Sequence, residues 1–147
     1  MGSVLLAEPP ARWAPRPRLV VDASVVAASA FGEAAFDEAD AQMRGRSLCA
    51  PAIIDCELAN VALTKLRARG ISSEQAARVL ATYEELDIER FSVDLPATVQ
   101  IGEAYSLSSY DAAYLWVAGH LRAPIATFDA RLAAAARSYL AQLPEPD

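Results

Sequence analysis

From Arg18 onward, short continuously apolar runs alternate with longer stretches whose apolar positions recur at helical spacing. The first run, "LVVD", predicts a buried strand at 19–22, followed by helical segments through "SVVAASAFG" and "EAAFDEADAQMRG". "SLCA" is a second strand. Pro51 then reads as the first residue of a long helix reaching Arg69, with Gly70 as its stop. Ser72 and Gln75 form a capping-box pattern for a helix ending near Glu85. "IERFSV" is a third strand, and Pro96 opens a helix to Tyr105. Ser108 or Ser109 caps "YDAAYLWVAGHL", "PIATF" is a fourth strand, and a last helix runs from Asp129 to Leu140. Strands alternating with helices predict an α/β domain with a parallel sheet.

Four acids break this pattern. Asp22 closes a valine-rich strand, where an unpaired buried charge costs several kcal/mol, roughly. Asp129 follows the fourth strand, so both lie at the carboxyl edge of the sheet, where open α/β sheets bind ligands. Either one is also well placed to cap a helix. Glu57 shares a helix face with Ile53, Ile54, Asn60, Val61 and Thr64, whereas Asp55 points away and reads as solvated. Asp111 shares its face with Tyr114, Leu115 and Ala118; stabilisation by the helix dipole would explain an acid in the first turn but not its apolar face. An arginine from another helix is the alternative partner for Glu57. Four converging carboxylates repel one another unless a cation lies between them, and Mg²⁺ or Mn²⁺ suits an all-oxygen set. Zinc does not fit: His120 is the single histidine and sits across its helix from Asp111.

Composition narrows the field. The 147 residues suffice for one domain, and no apolar run approaches a membrane span. Residues 1–17, with Pro9, Pro10, Pro15 and Pro17, read as an irregular extension unlike a signal peptide; 18–141 form the domain and 142–147 a frayed tail. Cys49 and Cys56 read as buried reduced thiols of a cytoplasmic protein. A net charge of −6 argues against a simple nucleic-acid binder but is compatible with an enzyme that holds cations on clustered acids. Arg44, Arg46, Lys65, Arg67 and Arg69 are the densest basic grouping.

"LVVDASVV", "PAIIDCELANVALTKLRARG", "LSSYDAAYLWVAGHLRAPIATFDARLAAAAR" and, more weakly, "FSVDLPAT" together resemble the PIN-domain nucleases, most closely the VapC toxins of toxin–antitoxin pairs. The resemblance implies a PIN-like doubly wound α/β/α sandwich with a mainly parallel four- or five-stranded sheet. It places the family's acidic positions on Asp22, Glu57, Asp111 and Asp129, as metal ligands and catalytic residues. Ser24 and Thr127 match its small polar residues, and Asn60 a frequent helper. It further implies a Mg²⁺- or Mn²⁺-dependent endoribonuclease leaving 5′-phosphate and 3′-hydroxyl ends, with Arg44, Arg46, Lys65, Arg67 and Arg69 as its candidate RNA contacts. A homodimer and a VapB-like antitoxin partner follow from the same likeness, with Tyr110, Tyr114 and Trp116 as candidate surface aromatics, at least one of which reads more safely as core. Two features depart from the family: the proline-rich extension, and "LPEPD", a poor fifth strand.

Other classes fit less well. A PIN-like binding module without turnover would not need all four acids, and a PIN nuclease of RNA processing would need no antitoxin. A haloacid-dehalogenase-type phosphotransferase wants a second acid where Ser24 stands. A response-regulator receiver wants an acidic pair at strand one and a lysine after a late strand.

Overall fold

The computed structural model describes residues 5, 7–10, 12 and 14–146. The expected extension therefore falls partly, and Asp147 wholly, outside the described residues; the described residues before Arg18 are exposed. Strands β1 (Arg18–Val21), β2 (Ser47–Pro51), β3 (Glu89–Phe91) and β4 (Ile125–Ala126) form one sheet in the order β3-β2-β1-β4. Every pairing is parallel: Val20 lies opposite Cys49 and Ile125, and Ala50 opposite Arg90. The chain steps one way across the sheet through β1, β2 and β3, then reverses to β4. Right-handed crossovers consequently send α1 (Ala23–Ala30), α2 (Phe36–Met43), α3 (Ile54–Arg67) and α4 (Ser73–Glu84) to one face. They send α5 (Leu95–Tyr105) and α6 (Ser109–Leu121) to the other, and α7 (Ala130–Ala141) packs there against α6. The reversal point lies between β1 and β4, the place where doubly wound sheets open a ligand crevice.

Burial explains why these runs are strands and helices. Leu19, Val20 and Val21 are almost fully enclosed, each stabilising the fold by ~1.5–3 kcal/mol. α6 is apolar nearly all round because it is enclosed on two sides. Tyr114, Val117 and Ala118 join the main core with β1, β2, α1 and α3, while Ala112 and Leu115 join Ile101, Leu132, Ala135 and Ala136 of α5 and α7. Its polar residues are pushed to its ends: Asp111 in the first turn, and His120 in the last, exposed and stacked on Trp116.

Helix starts follow local chemistry. The Ser72–Gln75 capping box forms in both directions, at 3.1 and 2.8 Å. Asp94 caps α5 just ahead of Pro96, Ser108 caps α6, and Asp129 caps α7. Two expectations are corrected. Pro51 is not the first residue of α3 but the last of β2, fully buried opposite Phe91, and α3 begins at Ile54. At the end of a strand a missing N–H forfeits little of the ladder, so the sheet can accept the ring. Gly70 is not the left-handed stop either: Arg69 adopts φ 56°, and the Gly70 N–H bonds the Lys65 carbonyl at 2.9 Å. Among the described residues the sheet has four strands, and 142–146 add none.

Candidate active site

Asp22 stands at the junction of β1 and α1 with extended backbone (φ −77°, ψ 153°), yet its side chain does not cap α1. It is 7% exposed, and its Oδ2 accepts two hydroxyl hydrogen bonds instead, from Ser24 at 2.8 Å and from Thr127 at 2.7 Å. Each hydroxyl is itself oriented. The Phe128 N–H donates to Ser24 Oγ and the Asp129 N–H to Thr127 Oγ1, so each hydroxyl proton is left to point at Asp22. Thus the loop after β4 holds the acid that ends β1. Ser24, inside α1, gives its hydroxyl proton to Asp22 and does not cap the helix.

Glu57 projects from the first turn of α3 and is half-buried. Its partner is not an arginine: Tyr114 Oη donates to Glu57 Oε1 at 2.7 Å. Burial pushes its pKa above the ordinary carboxylate value; the Tyr114 bond opposes this, and the charges of Asp22 and Asp111 add to it. Asp111 behaves alike. Burial raises its pKa first, then the charges of Asp22 and Asp129, against the Ser108 hydrogen bond and the cation of Arg131. Asp129 Oδ1 accepts from the N–H groups of Arg131 and Leu132, at 2.8 and 3.1 Å. Its capping role and its place in the cleft coexist.

All four acids line one cleft of about 610 Å³, together with Ala23, Ser24, Ile53, Cys56, Asn60, Val61 and Tyr110. The acids arrive from four elements at the reversal point, where burial first, and the charges of their neighbours after it, raise Glu57 and Asp111. No lysine, arginine or histidine lines the cleft among the described residues. The four carboxylates supply hard oxygen donors, the chemistry that Mg²⁺ or Mn²⁺ takes. Among the described residues no three His, Cys, Asp or Glu side chains are grouped to hold a metal ion as they stand. Three of the four carboxylates are held by protein donors: Asp22 by two hydroxyls, Glu57 by Tyr114, and Asp129 by its own helix.

The remaining expected residues separate. Thr127 supports Asp22 from behind and Asn60 lines the cleft, whereas the basic grouping stays outside its lining. Arg44 pairs with Asp40, and Lys65 pairs with Glu33 at 3.3 Å. Arg46 borders Leu48, Asp87 and Glu89 at the amino edge of the sheet, and Arg67 and Arg69 are exposed at the end of α3. Three expectations are corrected. Cys56 is exposed and lines the cleft, although Cys49 is buried. Asp55 is not simply solvated, since Arg90 grips it with two nitrogens and Tyr83 Oη donates to it at 2.6 Å. Tyr114 is fully enclosed and offers no surface, while Tyr110 is 59% exposed at the cleft wall. The sequence signal for Tyr114 was present in its position one turn from Asp111 on the same face.

Fold and cleft together define a doubly wound α/β domain with a four-carboxylate cleft at its sheet edge. Within that class the family model of the PIN domain matches residues 19–138, and the chain belongs to that family. PIN domains are generally nucleases that use divalent metal ions. The crystal structure of PAE2754 from Pyrobaculum aerophilum has the same fold: TM-score 0.67 at 22% identity, covering 86% of this chain and 89% of that one. No curated protein matches the chain. No helix among the described residues is long and apolar enough to cross a membrane.

Proposed function

We propose that the protein is a Mg²⁺- or Mn²⁺-dependent endoribonuclease, and that it acts as the toxin of a toxin–antitoxin pair. The observation that carries the enzymatic reading is the meeting of Asp22, Glu57, Asp111 and Asp129 in one cleft without a lining cation. These four would hold the divalent ion, with water completing its coordination. The chemistry such an ion supplies when bound is a lowered water pKa and an offset for charge developing on phosphate oxygens. The protein's own residues do the rest. Ser24 and Thr127 fix the Asp22 carboxylate, and Asn60 and Tyr110 stand on the wall where the strand would lie. Water adds at phosphorus, the 3′-oxygen leaves, and the products carry a 5′-phosphate and a 3′-hydroxyl.

The toxin role rests on the resemblance of the motifs to VapC proteins. It is supported by Leu95 and Val99, exposed apolar neighbours one turn apart on α5 that a second copy or a VapB-like antitoxin would cover. The spacing of the acids favours a second reading, a PIN-like module that binds without turnover. One experiment separates the two: cleavage of single-stranded RNA with Mg²⁺ or Mn²⁺, with and without chelator, by wild type and Asp22→Asn. Metal-dependent cleavage that falls by at least about 100-fold in the variant is expected. Cleavage that persists in excess chelator contradicts the proposal, and metal binding without cleavage of any RNA supports the binding module.

A further inference from the structure

Tyr114 is the largest of the fully buried side chains, and it lies one helical turn after Asp111 on α6. A phenylalanine would fill the same space. The hydroxyl is therefore the part that packing does not explain, because a buried O–H is costly without an acceptor. Its acceptor is Glu57 Oε1 of α3, at 2.7 Å. One oxygen on α6 thus holds the carboxylate that α3 carries.

Glu57 needs such a hold. It is half-buried and feels the negative charges of Asp22 and Asp111, all of which disfavour its ionised form. Tyr114 supplies the one side-chain hydrogen bond found to Glu57 among the described residues. It takes one carboxylate oxygen and leaves Oε2 for the cleft.

We propose that Tyr114 is a positioning residue of the acidic site: its buried hydroxyl fixes the Glu57 carboxylate and thereby sets the affinity of the cleft for a divalent cation. This rests on the reading of the cleft as a cation site. Tyr114 acts from behind Glu57, as outer partners of metal ligands do, and the loss of such a partner typically weakens metal binding by about 10–100-fold.

The test is calorimetric titration of Mn²⁺, without RNA, into wild type, Tyr114→Phe, Glu57→Gln and the double variant. Phe keeps the ring that fills the core, and a thermal melt checks that each variant folds. Tyr83→Phe is the control. It removes another buried tyrosine's hydroxyl, the one bonded to Asp55 at 2.6 Å, outside the cleft lining. Tyr114→Phe is expected to bind Mn²⁺ about tenfold more weakly, the double variant no more weakly than Glu57→Gln, and Tyr83→Phe like wild type. Three results would overturn the inference while leaving the proposed function standing: wild-type affinity in Tyr114→Phe, losses that multiply in the double variant, or an equal loss in Tyr83→Phe. A wild type that binds no Mn²⁺ overturns the cation-site reading itself, and this inference with it.

Discussion

Glu57 shows how one side chain can serve the site at the expense of the fold. Burial raises its pKa, so folding favours its neutral form and ionisation opposes folding. The sign follows directly. Below the unfolded carboxylate pKa both states are protonated and nothing is lost; as pH rises past that value the penalty grows, and it is complete above the raised folded pKa. Glu57→Gln keeps an oxygen to accept from Tyr114 and removes the charge. In metal-free buffer at neutral pH it should melt a few degrees higher than wild type, with the gain vanishing near pH 4. Added Mn²⁺ should reverse the order, because the wild type gains more from binding. Differential scanning calorimetry across pH checks both halves; a lower melting point for the variant at every pH contradicts the assignment. Sequence spacing already showed that Glu57 lay on an apolar face and needed a partner. It did not name Tyr114, because a tyrosine among core residues has the same local pattern whether or not its hydroxyl has a task. Nor did it reveal that Cys56, its neighbour, opens onto the cleft.

Asp55 illustrates the next scale, where elements are tied to one another. Arg90 of β3 grips it with two nitrogens and Tyr83 of α4 donates to it, so three elements meet at one carboxylate beside the start of α3. The Arg90 hydrogen bond holds its pKa below the usual value, against burial and with help from Tyr83. A depressed folded pKa contributes stability that is present above the unfolded value and lost as pH falls through the folded one. Asp55→Asn should therefore destabilise the protein modestly at pH 7, since the pair is substantially exposed, and the difference should shrink in acid below about pH 4. Urea melts at the two pH values check this, and a difference that grows in acid contradicts it. Legibility differed among the elements for a physical reason. The caps at Ser72, Ser108 and Asp129 are local hydrogen bonds, so sequence alone located their helices, whereas for α5 it read Pro96 and missed the Asp94 cap. Pro51 obeys a local rule for helix starts as well, but the parallel pairing with Phe91 outweighs it. Arg69 rather than Gly70 takes the left-handed turn, because the chain closes one residue earlier than the glycine suggested.

Across the whole molecule, the strand order β3-β2-β1-β4 creates the site. Reversal between β1 and β4 brings Asp22 and the Thr127–Asp129 loop side by side, and α3 and α6 reach that edge from opposite faces. None of this is encoded near any one acid. Periodicity identified the carboxylates that did not belong on apolar faces, and the resemblance gave their set; only the topology explains why residues so distant in sequence share a cleft. A net charge of −6 belongs to the same picture, since the protein concentrates acids where a cation would neutralise them. The most direct measurement is an anomalous difference map from a crystal soaked in Mn²⁺. The account expects a peak inside the cleft, coordinated by Asp22 and Asp111 and approached by Glu57 and Asp129. A cleft without a peak at millimolar Mn²⁺, or a Mn²⁺ ion held elsewhere on the molecule instead, would contradict it.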